Sequence, residues 1–224
     1  MNLNINNISQ ERKTTLLQVI FATSIILANI VGIKIIRLGP LNVSMGIWLV
    51  PITFLITDIL AEVKGKKFVS QLVWATAIAM IFSYIFIKIS IWVQPAERFI
   101  DANPAFIEVF QNSARIFIAS IIAFIISQLH DIWAFEYWKQ KTKGKYFWLR
   151  NNLSTIVSQF IDTTIFIFIA FYHMTPKFDF TFMWSLILPY YVLKIILALL
   201  DTPFAYLGVK WLTPRPSSGP EEKK

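Results

Sequence analysis

Long apolar runs separated by short polar breaks organise this chain. A hydrocarbon core of ~30 Å requires about 20 mostly apolar residues per helix. Thr14–Ile33 is the first charge-free run. It is too long for the apolar core of a signal peptide and no small-residue cleavage site follows, so it reads as a retained anchor. The second run is Val43–Thr57, extending through Asp58 towards Glu62, and the third is Phe68–Ile87. The fourth, Ile116–Phe135, is interrupted by His130 and Asp131, and the fifth, Leu153–Phe171, carries Asp162. The sixth, Phe182–Leu200, carries Lys194 and is followed by Asp201-Thr202-Pro203, with an extension to Trp211 as a helix kinked at the proline left open.

These runs predict an all-α integral membrane protein, a six-transmembrane-helix bundle with both termini cytoplasmic. Residues 1–13 form a cytoplasmic N-terminal segment, 14–212 the six-helix transmembrane domain, and 213–224 a Pro-, Ser- and charge-rich tail expected to be disordered. The orientation rests on charge. With both termini inside, 14 Lys and Arg fall on the cytoplasmic side and 6 outside, leaving Lys194 within a span. The one long loop, Lys88 to Arg115, holds Trp92, Phe99, Phe106 and Phe110. These aromatics fit an interfacial belt or an external lid over a substrate entrance. Asn103-Pro104 reads as a helix start, so the fourth helix is expected to begin outside the bilayer and run to about Trp138.

Composition narrows the classes further. Hydrophobic residues make up 56% and charged residues 15%, against ~25% charged in an average soluble domain, and mean hydropathy is +0.58. Twenty Phe, eight Trp and seven Tyr exceed what a soluble core of this size hides. Disorder and nucleic-acid binding are excluded despite a net charge of +8. There is no Cys and there are two His, so thiolate sites fall away and a transition-metal site has little support. No phosphate-binding glycine loop and no nucleophile elbow is present. No catalytic residue, metal site or cofactor is expected.

The chemistry must lie in the polar residues inside the spans. An ionisable group at bilayer depth costs ~2.5–3.5 kcal/mol on insertion scales, so each requires a partner or a task. Asp58 and Glu62 share a helix face, with Lys64 and the following lysines able to reach them by snorkelling. Spans four and five share the pattern S-Q-x-x-D: Ser127-Gln128 with Asp131, and Ser158-Gln159 with Asp162. Consecutive spans run oppositely, so the two copies would be antiparallel. Asn152, Thr155, Gln159 and Asp162 form one stripe that must face protein or water. Lys194 fits an ion pair with Asp162 or Asp201, which does not exclude a ligand role. His130 beside Asp131 fits either a proton relay or a hydrogen-bonded interfacial histidine. Asn29 is expected to hydrogen-bond across helices.

Three segments carry a family resemblance: Pro51–Gly65 (PITFLITDILAEVKG), Arg150–Thr155 running into Ser158-Gln159 and Asp162-Thr163, and Lys194 followed by Asp201-Thr202-Pro203. Over about residues 14–212 the chain resembles the queuosine precursor transporters, six-helix membrane proteins grouped with the vitamin-uptake transporters. The resemblance implies import of a 7-deazaguanine (the 7-cyano or 7-aminomethyl precursor, or queuine) across a bacterial plasma membrane for salvage into tRNA. It also implies action as a single polypeptide without an ATPase partner. The alternative is a substrate-binding subunit of an ATP-energised vitamin importer. The residues fit such a cargo: a guanine-like edge offers N–H groups to a carboxylate and a carbonyl to an amide, and flat bases stack on aromatics. The expected cavity lies among spans two, four, five and six. Gln159 and Asp162 would read the base edge, with Gln128 and Asp131 opposite. Lys194, Asp58 and Glu62 would complete the lining, and Asn152 and Asn29 would lie further out. Coupling would run through a proton on Asp131 or Asp162, or through downhill entry with metabolic trapping. The partners are then the deazaguanine and the lipid bilayer, with a homodimer left open and nucleic acid excluded.

Overall fold

The computed structural model describes residues 10–32, 34–39, 41–111, 114–173 and 179–213. The expected disordered tail therefore lies, but for Thr213, outside the described residues, as do residues 1–9 of the N-terminal segment. Seven α-helices are present among the described residues: α1 Gln10–Val31, α2 Leu49–Lys64, α3 Lys66–Trp92, α4 Asn103–Gln111, α5 Ala114–Lys141, α6 Phe147–Phe171 and α7 Phe180–Leu212. Together they supply six stretches long and apolar enough to cross a membrane, Asn103–Lys141 counting as one.

The helix ends follow from local chemistry. Pro51 falls in the first turn of α2, where its missing N–H has no helical partner to lose. Gly65, at φ 86°, is a one-residue joint between α2 and α3 in a conformation that only glycine adopts freely. Pro104 likewise sits in the first turn of α4. The Asp179 carboxylate accepts the Phe182 N–H at 2.8 Å and starts α7. That helix runs unbroken through Pro189 and Pro203, so the sixth span does extend past Trp211.

One expectation is corrected. Val43–Ser44 are not helical: Leu41–Ser44 (β2) pairs antiparallel with Ile35–Leu38 (β1), and a 3-10 turn, Met45–Trp48, leads into α2. An apolar run this short does not distinguish strand from helix. Here Ser44 fixes the junction, its hydroxyl donating to the Gly32 carbonyl at 2.7 Å and accepting the Gly46 N–H at 3.1 Å.

The main apolar core joins Phe21 and Ile25 of α1 with Ile59 and Leu60 of α2, Val73 and Met80 of α3, and Phe124 and Phe135 of α5. A smaller one holds Ile167, Met183 and Ile187 between α6 and α7. The stretch that contains α2 is the most buried of the six and α7 the least. Many other large apolar side chains face outward, Phe82 and Phe86 of α3 among them. Such rows would drive aggregation in water and suit lipid contact. Phe99, Phe106 and Phe110 pack on one another, with centroids 6.1 and 4.8 Å apart. Phe99 and Phe106 also line a mostly apolar cavity of about 320 Å³ against the end of α3, where Trp92 is exposed. The start of α1 meets the end of α7: Lys13 Nζ donates to the Trp211 carbonyl at 2.7 Å and lies 4.9 Å from the indole centroid.

Candidate functional site

The most extensive helix pairing is between α5 and α6, and its seam is polar. Ser127, Gln128 and Asp131 on α5 are buried, as are Ser154, Thr155, Ser158 and Gln159 on α6. The spacing of three and four puts each set on one face. The two S-Q-x-x-D segments meet crosswise. Ser127 of α5 donates to Asp162 Oδ1 of α6 at 3.2 Å, and Ser158 of α6 stands beside Asp131 of α5. Ser127 thus bonds the other helix's aspartate, while Ser158 lies beside Asp131 but is bonded to His130 of the opposite helix.

The two aspartates then diverge. Asp162 Oδ2 is 2.7 Å from Lys194 Nζ of α7, an ion pair with the lysine side chain 5% exposed. Of the two partners open to Lys194, Asp162 is the one taken. Tyr190, one turn earlier on α7, places its ring 5.5 Å from the same ammonium, and its hydroxyl side reaches Ser44 at the end of the hairpin. Asp131 instead faces Asp58 of α2. These carboxylates are 1% and 2% exposed. Thr155 donates to Asp58 Oδ2 at 3.3 Å, whereas Asp58 Oδ1 and both oxygens of Asp131 have no well-aligned donor among the described residues.

Two buried amides lie along the same seam. Neither side-chain atom of Gln128 has a hydrogen-bond partner among the described residues, and nor has Gln159 Oε1. Burying an amide unpaired costs roughly 1–3 kcal/mol, so these groups are poised for a polar guest.

Glu62 ends the series. The lysines next to it in sequence are not its partners. Arg150 Nη2 lies 2.6 Å from Glu62 Oε1 and Lys139 Nζ 3.1 Å from Oε2. The expected pairing with Lys64 is corrected for this reason: α5 and α6 deliver their own cations to the face of α2 that carries Glu62. Asn152 bonds Thr202 of α7, donating to it at 3.0 Å and accepting from it at 3.2 Å, and so ties α6 to α7. Asn29 donates to the Ile25 carbonyl of its own helix at 2.9 Å, not across helices, because the carbonyl four residues back lies within reach. His130 Nδ1 is 2.9 Å from Ser158 Oγ.

The structure therefore brings together Asp58, Gln128, Asp131, Gln159, Asp162 and Lys194 on helices α2, α5, α6 and α7. Glu62 sits one turn away on α2 in an ion cluster, and Asn152 and Asn29 are occupied elsewhere. Ser127, Ser154, Ser158, Tyr190 and Arg150 were missed as site residues, and Thr155 was named only in the polar stripe and the resembling segment. Ser127 and Ser158 were visible as the first letters of the repeated motif, and Ser154 and Arg150 as members of the resembling segment, Arg150 also as a cytoplasmic charge. No group of three His, Cys, Asp or Glu able to hold a metal occurs among the described residues.

Residues 44–208 match the model of the family described as "Putative vitamin uptake transporter". A "Probable queuosine precursor transporter" of Bacillus subtilis (strain 168) is 28% identical over 194 residues, covering 86% of this chain and 82% of that protein. No solved structure matches. With its six spans and a family match over most of its length, this chain is a multi-pass membrane protein belonging to the vitamin uptake transporter family.

Proposed function

We propose that this protein imports queuosine precursors, 7-deazaguanines bearing a cyano or aminomethyl group or the base queuine, across a bacterial inner membrane. Both termini face the cytoplasm in this reading. The observation that carries it is the pair of buried, incompletely bonded amides, Gln128 and Gln159, set between carboxylates in the polar seam. An amide offers one donor edge and one acceptor, the complement of a guanine-type edge with its carbonyl and N–H groups. Asp162 adds a carboxylate whose position is held by Lys194 and Ser127. The similarity to the named Bacillus subtilis protein supports the cargo class. Glu62 with Arg150 and Lys139 closes the cytoplasmic end of the polar path, and Asn152 ties α6 to α7 beside it.

The test is accumulation of 7-cyano-7-deazaguanine in cells unable to make it, read by mass spectrometry of the cell contents and by the queuosine content of tRNA. The wild-type gene restores both. Asp162→Asn and Gln159→Leu leave the protein folded and in the membrane, and lower accumulation at least tenfold. Normal accumulation in either variant would remove that residue from the site, and no accumulation with wild type would remove the function.

A further inference from the structure

The crossed serine–aspartate seam is close to two-fold, and it departs from symmetry at one place. On one side Asp162 meets Ser127 of the opposite helix and the ammonium of Lys194. On the other, Asp131 meets Ser158 of the opposite helix, and the group contributed by the third helix is not a cation but Asp58. Two carboxylates in contact, 1% and 2% exposed, carry two negative charges into a low-dielectric interior if both are ionised. A second observation points the same way: Gln128, one turn from Asp131 on the same face, is 1% exposed and neither atom of its amide is bonded among the described residues.

The surrounding charges are committed elsewhere. From α6, Arg150 acts on Asp58 from a distance, but its Nη2 is 2.6 Å from Glu62 and its Nη1 donates to the carbonyls of Gly144 and Lys145 at 2.9 and 3.1 Å. From α5, Lys139 is on Glu62, and His130 is held by Ser158. From α7, Lys194 is on Asp162, and Asp201 is a further acid. α1 and α3 carry their charges, Glu11, Arg12, Lys13, Lys66, Lys67 and Lys88, only near their ends.

We propose that Asp58 and Asp131 form a proton site, in which one proton shared between the two carboxyl groups takes the place that Lys194 fills beside Asp162, and that its passage drives import. The proton binds a carboxyl oxygen from the outer solution and leaves to the cytoplasmic water, one for each cargo molecule, with no redox change. While it is bound, one carboxyl donates to the other and α2 and α5 stay together. When it leaves, the two negative charges push these helices apart. Glu62, one turn along α2, carries the displacement to the Arg150 cluster at the cytoplasmic end. This rests on the transport reading above.

Two measurements separate the proposal from that reading. In liposomes of purified protein loaded with a pH dye, 7-cyano-7-deazaguanine added outside should acidify the interior as it enters. An inward gradient of one pH unit should support up to about tenfold accumulation. In Asp58→Asn and Asp131→Asn both effects should vanish. Wild-type uptake without proton entry, or uptake that follows a sodium gradient instead, overturns the proposal and leaves the transport reading standing. The second measurement needs no cargo. The infrared spectrum of the protein in bilayers at neutral pH should show a protonated-carboxyl C=O band, removed by either asparagine variant and retained in Asp162→Asn. Absence of that band in the wild-type protein overturns the proposal even if no deazaguanine is transported.

Discussion

Arg150 is the largest of the fully buried side chains and carries a full charge at 1% exposure. It meets Glu62, two loop carbonyls and the ring faces of Phe135 and Phe147, 5.5 and 5.1 Å from their centroids. Removing one partner of a buried pair leaves an uncompensated charge, at a cost of roughly 3–5 kcal/mol. Arg150→Ala should therefore lower the thermal midpoint of the detergent-solubilised protein sharply. Arg150→Lys should recover only part of the loss, since an ammonium keeps the charge without the two-armed fork. Equal midpoints for all three proteins would show that Arg150 holds nothing in place. The acids and amides of the seam were legible in the sequence because polar groups at bilayer depth stand out against apolar neighbours. Arg150 was not, because an arginine at a span end looks like any interfacial cation. Its partner was misjudged for a related reason: neighbours in sequence, Lys64 foremost, are the natural candidates until the packing of three helices is known.

At the scale of elements, the contact between α2 and α7 depends on a missing side chain. A Cβ at Gly208 would collide with the Ile59 side chain on α2. Overpacking of this kind costs about 1–3 kcal/mol. Gly208→Val should destabilise the protein by that amount in a denaturation assay, and Ile59→Ala in the same chain should return part of it. Additive losses in the double variant would mean that the two residues do not touch. The spans themselves were readable from run length and hydropathy, whereas the passage of the last helix through Pro203 was left open and is decided by the structure. The hairpin Ile35–Ser44 was not, because its strands are short and one of them merges in sequence with the apolar run that follows. Nothing in composition announced that Ser44 would join the end of α1 to the start of α2.

For the whole molecule, the union of Lys13 with Trp211 puts the first and last helices side by side at the ends where the chain enters and leaves the bundle. An even number of crossings requires the same placement. Together with the surplus of lysine and arginine in the loops on that side, it predicts that green fluorescent protein glows when fused to either terminus, while alkaline phosphatase fused there stays inactive. Phosphatase activity at one end alone would demand an odd number of crossings. The reciprocal bonding of α5 and α6 bears, finally, on how the protein is made. Neither helix bonds its own aspartate side chain, so either one released alone into the bilayer would carry bare carboxyl groups among the acyl chains. The favourable course during synthesis is for the first of the pair to wait in the insertion channel until the second emerges, and for the two to slip sideways into the membrane as a hairpin already closed on its wet side.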